Sequence, residues 1–364
     1  MMKRDRVAVA MSGGVDSSVA AAMLVAQGCD VVGLTMQIWP REPSEEIPPG
    51  LRGCCGLDAL DSARRVARAL GIRHYVLDLR ADFERLVIAP FCDEYAIGRT
   101  PNPCLRCNTH VKFGALLRRA EEIGAGRLAT GHYARVCYDE ARGRWLLLRG
   151  VDKAKDQSYS LYGLRQEQLA RALFPLGEIA KSQTRAQAAQ LGLSVAEEPD
   201  SQEICFTSGD SYEEYLRRRR PEVVRPGPIV DRQGRQLGRH RGIAFYTIGQ
   251  RQGLRVATGK PLYVLGIDAH GNRLIVGYEE ETTRRGLVMR DVNHVSLDRL
   301  PSNGRRLRAK VRSAAPLAAC IARPVADAVE LQFARPQRAI APGQAAVCYE
   351  QESVAFGGTI AEAV

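Results

Sequence analysis

Residues 7–21 read VAVAMSGGVDSSVAA, and the rest of the fold prediction depends on them. Val7–Ala10 is an apolar run typical of a buried strand, Ser12–Gly14 interrupt it, and helical apolar spacing begins at Val15. Glycines let backbone N–H groups approach an oxyanion closely, and a helix N-terminus favours negative charge. The stretch therefore predicts an anion-binding turn between a strand and a helix. An ordinary capped strand-to-helix turn is the alternative that these residues alone leave open.

Residues 7–21 do not form the P-loop of kinases and GTPases, because the pattern GxxxxGK[ST] of that loop is absent from them.

Strands and helices are predicted to alternate along the hundred residues that follow. Apolar patterns predict strands at 30–36, 73–79 and 128–130, and helices at 57–70, 83–95 and 111–123. This alternation indicates a parallel sheet, in which ligands bind beyond the carboxyl ends of the strands. Residues 98–108, which carry a CxxC, are predicted to be rich in turns.

The pattern changes after residue 210. Short strands and glycine turns follow, which are typical of small β domains. The sequence therefore predicts an α/β protein in which a parallel-sheet domain (1–210) precedes a small mainly-β central domain (211–283) and a C-terminal β-barrel (284–364).

The chain is basic: 52 Lys and Arg residues against 41 Asp and Glu residues give a formal net charge of +11. Such a charge is common in proteins that bind polyanions, although a general bias toward arginine is the alternative. No run of about 18 apolar residues exists, so no membrane span is expected. The first strand begins within a few residues of Met1, which predicts no signal peptide and a cytoplasmic location.

Ten cysteines in such a chain are not expected to form a disulfide framework. Five lie in settings that indicate catalytic, redox or metal chemistry: Cys54, Cys55, Cys104, Cys107 and Cys205. The other five lie in apolar or alternating contexts and are predicted to be small buried hydrophobes: Cys29, Cys92, Cys137, Cys320 and Cys348.

Four stretches together resemble one family, the tRNA-specific 2-thiouridylases: AMSGGVDSSVAA (10–21), GRTPNPCLRCNTHVKFG (98–114), ATGHYAR (129–135) with KDQSYSLYGL (155–164), and EEPDSQEICF (197–206). HRGIAFYTIGQRQGL (240–254) and PGQAAVCYE (342–350) extend the resemblance over nearly the whole chain. It implies a PP-loop ATP-pyrophosphatase fold and ATP-dependent 2-thiolation of the wobble uridine. It also implies ATP with Mg²⁺, a tRNA anticodon stem-loop as substrate, and a sulfur-donor protein of the persulfide-relay type.

The resemblance assigns residues to each role. It implies that ATP is bound by Ala10, Met11, Ser12, Gly13, Gly14, Val15, Asp16, Ser17, Ser18, Met36 and Gly131. Positions expected to contact tRNA are His132, Lys155, Asp156 and Gln157, with Arg312, Ser313 and Gln344 in the C-terminal barrel. Because the wobble base lies in a single-stranded anticodon loop, we expect the protein to recognise it as a base extruded from that loop.

Two cysteines match the catalytic pair of the family. The resemblance implies that Cys205 carries a persulfide and that Cys107 is the nucleophile, which draws sulfur from Cys205 or pairs with it as a disulfide. Cys104 departs from the form of the family with aspartate at this position. Three explanations stay open: a redox CxxC pair, a zinc site with Cys107 and His110, and a [4Fe–4S] cluster on Cys104, Cys107 and Cys205.

Two other functions remain possible from the sequence. A different PP-loop ATP pyrophosphatase acting on RNA, such as a tRNA lysidine synthetase, or an amidotransferase would share the SGGVDSS loop but needs no Cys107/Cys205 pair. An RNA-binding module without catalysis would need neither the loop nor the cysteines.

Overall fold

The computed structural model of the chain describes residues 5–39, 57–193, 204–207 and 211–364. Among these, two compact units are distinguished. The first contains residues up to 87 together with 104–209 and 352–354, and the second contains 88–103, 210–351 and 355–364. The predicted domain division at residues 210 and 283 stays a prediction.

The regular elements are numbered in chain order. The helices are α1 (Val15–Ala26), α2 (Leu57–Ala69), α3 (Arg80–Phe83), α4 (Ala89–Ala96), α5 (Pro103–Arg106), α6 (Leu117–Glu122), α7 (Ser158–Leu161), α8 (Gln166–Leu169), α9 (Lys181–Gln190) and α10 (Tyr212–Arg219). The strands are β1 (Arg6–Ala10), β2 (Asp30–Gln37), β3 (Arg73–Asp78), β4 (Arg127–Ala129), β5 (Ala134–Asp139), β6 (Arg144–Arg149), β7 (Ala172–Leu173), β8 (Gly227–Val230), β9 (Gln236–His240), β10 (Tyr263–Asp268), β11 (Arg273–Gly277), β12 (Thr283–His294), β13 (Arg305–Lys310), β14 (Ala318–Val325), β15 (Ala328–Arg338), β16 (Ala345–Glu350) and β17 (Ser353–Ala363).

A five-stranded parallel sheet organises the first unit. Its strand order is β3-β2-β1-β4-β7, and Ala8 at the centre of β1 lies between Val32 of β2 and Leu128 of β4. The apolar run in β1 is buried on both faces, and Val19 and Ala20 of α1 belong to the same core. Because β2 and β4 flank β1 on opposite sides, the strand order reverses at β1, and the carboxyl ends of β1 and β4 form the crevice in which such sheets bind ligands.

Two wide, π-helical segments continue short helices of this chain. Glu84–Ile88 joins α3 to α4, and Cys107–Leu116 joins α5 to α6. The predicted helix over 111–123 is therefore largely confirmed, but the prediction of a turn-rich segment over 98–108 is wrong from Pro103 onward. Proline lacks an N–H and suits the first turn of a helix, so Pro103 begins α5 and makes both CxxC cysteines helical. Such π-helical turns often occur at functional sites.

The second unit is mainly β. Strands β8–β11 form a four-stranded sheet in the order β10-β11-β8-β9. Strands β12, β15, β14, β13, β16 and β17 follow one another in a second sheet, and β12 also pairs with β17, so that the six close into a barrel. The core of the barrel includes Leu287, Met289, Leu331, Phe356 and Ile360, all with 0% exposure.

The predicted fold class is thus confirmed: a parallel-sheet α/β domain, a mainly-β central region and a C-terminal β-barrel. Within the described ranges, no helix has both the length and the apolar character needed to cross a membrane.

The predictions for the cysteines in apolar contexts have different outcomes. Cys92, Cys320 and Cys348 are buried as predicted, and Cys29 is half-buried. The prediction for Cys137 is wrong, because this cysteine is exposed on β5, which pairs with β6 in an antiparallel hairpin at the edge of its sheet. Cys54 and Cys55 lie outside the described residues.

Candidate active site

An open cleft lies at the carboxyl ends of β1 and β4, where the strand order reverses. The cleft encloses about 630 Å³ of empty space, part of which is open to solvent. The lining residues come from five segments of the first unit: Ala10, Met11, Ser12, Asp16, Ser17, Leu34, Met36, Lys112, Thr130, Gly131, His132 and Gln157. Seven of the eleven predicted ATP residues and two of the predicted tRNA residues thus line one cavity.

The turn between β1 and α1 has the backbone geometry that an anion cradle requires. Gly13 has φ +79°, and a Cβ there would lie 2.2 Å from the carbonyl oxygen of Ala59. Gly14 caps α1 without a side-chain hydrogen bond, and the Ser17 and Ser18 hydroxyls donate to its carbonyl oxygen. The first turn of α1 therefore keeps its N–H groups for a ligand rather than for a capping side chain.

Gly131 brings the segment after β4 against the first turn of α1. A Cβ at Gly131 would lie 2.7 Å from the carbonyl carbon of Asp16 and 2.7 Å from the nitrogen of Ser17. Only glycine permits this approach of two backbones, which narrows the cleft at the predicted nucleotide position. Met36, the other predicted ATP residue away from the loop, lines the cleft at the end of β2 and is 8% exposed.

A hydrogen-bonded group that was not predicted from the sequence surrounds Asp16. Lys181 Nζ lies 2.7 and 2.8 Å from the two carboxylate oxygens of Asp16, and the Tyr133 hydroxyl donates to the same carboxylate at 2.8 Å. The Tyr133 hydroxyl also lies 2.9 Å from Thr184 Oγ1. One sequence signal was available: Lys181 begins α9, where the helix dipole disfavours a cation unless a carboxylate lies nearby.

His132 and Lys112 form the part of the cleft wall that follows β4 and the π-helix. His132 is 8% exposed, and its Nδ1 lies 2.7 Å from Thr130 Oγ1. Burial, and then the Lys112 ammonium, hold the pKa of His132 well below 6.5, so the imidazole is neutral at neutral pH. Lys112 Nζ donates to Asn108 Oδ1 at 3.0 Å. Lys112 was missed in the sequence, because its position on the π-helix is not visible in a 3.6-residue pattern.

A pH dependence of stability follows from His132. Unfolded histidine binds a proton near pH 6.5, whereas the folded imidazole does not, so acidification favours unfolding. The stability contribution is fully present above pH 6.5 and is lost as the pH falls below it, by about 1.4 kcal/mol per pH unit for one proton. We expect His132→Gln to flatten the fall in unfolding free energy between pH 6.5 and 5, measured by urea denaturation. The exposed His270→Gln is the control, and an unchanged slope in His132→Gln would contradict the assignment.

The thiol-bearing segments contact the same helical region. Arg106, next to Cys107, donates to the carbonyl oxygen of Leu86 at 2.7 Å. Phe206, next to Cys205, packs against Phe83 with ring centroids 5.8 Å apart. Cys107 and Cys205 are half-buried, whereas Cys104 is exposed. The segments that carry Cys107 and Cys205 are distant in sequence, and they thus contact two residues, Leu86 and Phe83, that lie one helical turn apart.

The metal alternatives require several ligands in one place. Among the residues that the structure describes, which include Cys104, Cys107, His110 and Cys205, no three His, Cys, Asp or Glu side chains lie close enough to hold a metal ion. The zinc site and the [4Fe–4S] cluster therefore stay predictions from the sequence, and no chemical step is derived through either.

The predicted tRNA residues differ in their surroundings. Gln157 lines the cleft, and its side-chain oxygen accepts from the Tyr133 N–H at 3.0 Å. The Asp156 side chain has 0% exposure, forms an ion pair with Arg149 at 3.0 Å and accepts from the backbone of its own loop. Lys155 is half-buried. In the second unit, Arg312 and Ser313 are exposed and Gln344 is half-buried. Asp156 is thus buried and bonded within the protein, which the polar residues next to it in the sequence did not indicate.

Comparisons with known proteins agree with this architecture. Residues 5–209 match the family model described as tRNA methyl transferase HUP domain, residues 213–278 the tRNA methyl transferase PRC-barrel domain, and residues 284–360 the aminomethyltransferase beta-barrel domain. The chain is 51% identical to the tRNA-specific 2-thiouridylase MnmA of Moorella thermoacetica, over 97% of this chain and 98% of the relative. It is 49% identical to those of Symbiobacterium thermophilum (99% and 93%) and Heliobacterium modesticaldum (98% and 92%).

The chain belongs to the tRNA-specific 2-thiouridylase family. The resemblance drawn from the sequence motifs is therefore confirmed. In this 2-thiouridylase family member, the loop, Met36, Gly131, His132 and Gln157 converge on one cleft.

Proposed function

We propose that this protein catalyses the ATP-dependent 2-thiolation of the wobble uridine of tRNA, and releases AMP and pyrophosphate. The observation that carries the proposal is the shared cleft. Ser12 and Asp16, which the family resemblance assigns to the nucleotide, line the same cavity as His132 and Gln157, which it assigns to RNA. A reaction that joins a nucleotide to an RNA base needs both ligands in one such cavity.

The first step is adenylation of the base. The uridine C2 oxygen attacks the α-phosphorus of ATP, pyrophosphate leaves, and the N3 proton passes to solvent. The loop from Ser12 to Ser18 holds the pyrophosphate with backbone N–H groups at the N-terminus of α1, and Gly131 closes the cleft beside it. Bound Mg²⁺ would supply further neutralisation of phosphate charge. A neutral His132 offers hydrogen bonding to the base without adding a cation.

The second step transfers sulfur from a persulfide on Cys205. The Cys107 thiolate attacks Cys205 Sγ, which forms a Cys107–Cys205 disulfide and releases hydrosulfide. The hydrosulfide adds to C2, AMP leaves with the original oxygen, and the remaining proton ends on N3. A dithiol reductant then restores both cysteines, and a persulfide-relay protein reloads Cys205. The anchoring of both thiol-bearing segments on residues 83–86 supports this pairing.

Binding of tRNA needs contacts outside the cleft. Arg312 and Ser313 on the barrel are exposed, and Lys155 lies in the loop that ends at Gln157. Together with the net charge of +11, these positions support a contact with the anticodon stem-loop, because arginine and lysine bind phosphates and release counterions. Asp156 acts in this scheme by holding the loop in shape.

The proposal is tested with two tRNA transcripts that differ only at the wobble position, one with uridine and one with cytidine. We expect AMP release with the uridine transcript to exceed that with the cytidine transcript at least about tenfold, because the pocket must present the reacting oxygen of the correct base. The measurement is AMP and pyrophosphate production by chromatography. Equal AMP release with both transcripts would contradict the proposal, and a preference for cytidine would favour a lysidine-type enzyme.

A further inference from the structure

The pyrophosphate loop contains a carboxylate at a position where an anion must bind. Asp16 is the second residue of α1, lies in its acidic first turn and lines the cleft. Alone at a helix N-terminus a carboxylate is favourable, but beside a bound phosphate it is a like charge. A loop that binds pyrophosphate therefore needs a cationic group that neutralises the Asp16 carboxylate.

Lys181 is in the position that such a cationic group requires. Its ammonium bridges both carboxylate oxygens of Asp16, at 2.7 and 2.8 Å, and the lysine is 8% exposed. Its ammonium also lies over the ring of Tyr133, with Nζ 5.8 Å from the ring centroid. The pair joins residues 165 positions apart, so it is formed by the tertiary structure and not by a local helix pattern.

The main chain of Lys181 is anchored as well as its side chain. Its N–H donates to Asp152 Oδ2 at 3.0 Å, so a carboxylate from another loop caps the start of α9. Hydrogen bonds from the backbone of Lys181, Lys155 and Ala154 lower the pKa of Asp152, which keeps this cap ionised. The backbone of Lys181 is thus fixed at the N-terminus of α9, and its side chain reaches Asp16 from there.

We infer that Lys181 is a positioning residue that cancels the charge of Asp16, so that the pyrophosphate moiety of the nucleotide can bind at the N-terminus of α1. The inference rests on the proposed function of this loop and deepens it. Tyr133 fixes the carboxylate from the other side, and Thr184 holds the Tyr133 hydroxyl in place. Asp16 and Lys181 together set the net charge that the phosphates meet, and Tyr133 and Thr184 fix the position of the carboxylate.

The inference is tested by binding alone, without tRNA and without turnover. Affinities for ATP, inorganic pyrophosphate and adenosine are measured by calorimetry for the wild type, Lys181→Met, Asp16→Asn and the double variant. We expect Lys181→Met to weaken ATP and pyrophosphate binding at least about tenfold, since it leaves a bare carboxylate beside the phosphates. Adding Asp16→Asn should restore both affinities to within about threefold of wild type. Adenosine binding should stay unchanged throughout, because adenosine has no phosphate.

Controls separate this role from a structural one. Lys181→Arg should keep wild-type affinities, and Lys153→Met removes an exposed lysine that pairs with Glu352 instead of Asp16. Equal ATP affinity in Lys181→Met and wild type would overturn the inference, as would a double variant that binds ATP no better than Lys181→Met. Loss of adenosine binding together with ATP binding would also overturn it, because this pattern indicates a damaged cleft. If these outcomes accompany normal wobble-uridine-dependent AMP release by the wild type, only the role of Lys181 fails.

Discussion

Replacing Cys205 with serine is expected to abolish 2-thiouridine formation, with a loss of at least about a thousandfold, because serine cannot carry a persulfide. Adenylation of the base should persist in this variant, since the pyrophosphate loop is a separate element at the N-terminus of α1. The measurement is mass spectrometry of nucleosides from digested tRNA, combined with AMP release. Cys107→Ser should give the same loss of thiolation, because hydrosulfide release from Cys205 requires its attack.

Two other cysteines serve as matched controls. Cys137 is exposed on β5, and Cys137→Ser should thiolate like the wild type. Cys104→Asp introduces the aspartate that the family resemblance implies at this position, and should keep thiolation without iron. Full thiolation by Cys205→Ser would refute the persulfide assignment. Loss of thiolation in Cys104→Asp, with loss of bound iron, would instead support a cluster.

Replacing Gly13 with alanine should have the largest effect on the pyrophosphate loop. Its φ of +79° and the 2.2 Å distance from a Cβ to the Ala59 carbonyl oxygen act together. The left-handed backbone alone costs a residue with a Cβ about 1–2 kcal/mol, and the overlap with α2 adds to it. We expect a loss of at least about 2 kcal/mol in unfolding free energy and a loss of ATP binding of at least about tenfold.

Gly28 is the matched control for this substitution. It ends the loop after α1 with φ +80°, but a Cβ there would meet nothing within 4 Å. Gly28→Ala should therefore cost only the backbone strain of about 1–2 kcal/mol and leave ATP affinity unchanged. Chemical denaturation and ATP titration of both variants compare the two glycines directly. Equal losses of stability with unchanged ATP affinity in both would contradict the role assigned to Gly13.

The sequence was sufficient for the parallel sheet because its signals are local. The apolar run of β1, the glycines after it and the spacing of α1 each occur within fifteen consecutive residues, and the observed bounds agree with them. The cleft was also predictable in its main features, since the carboxyl ends of adjacent parallel strands lie together.

The remaining features depend on contacts between distant residues. The Asp16–Lys181 pair and the Asp16–Tyr133 hydrogen bond join elements more than a hundred residues apart, and no local pattern specifies them. The π-helix from Cys107 was missed because a helix prediction assumes 3.6 residues per turn. The Asp156 side chain is buried because backbone N–H groups of its loop need an acceptor, although its neighbours in sequence are polar.

The central claim is that Cys205 carries the sulfur that enters the uridine. Its most direct test is peptide mass spectrometry of the protein after incubation with a low-molecular-weight persulfide, before and after addition of ATP and tRNA. The account predicts one additional sulfur atom on the peptide that contains Cys205, and its loss in step with the appearance of 2-thiouridine. Sulfur found on Cys104 or Cys107 with Cys205 unmodified, or sulfur that stays on Cys205 while 2-thiouridine accumulates, would contradict it.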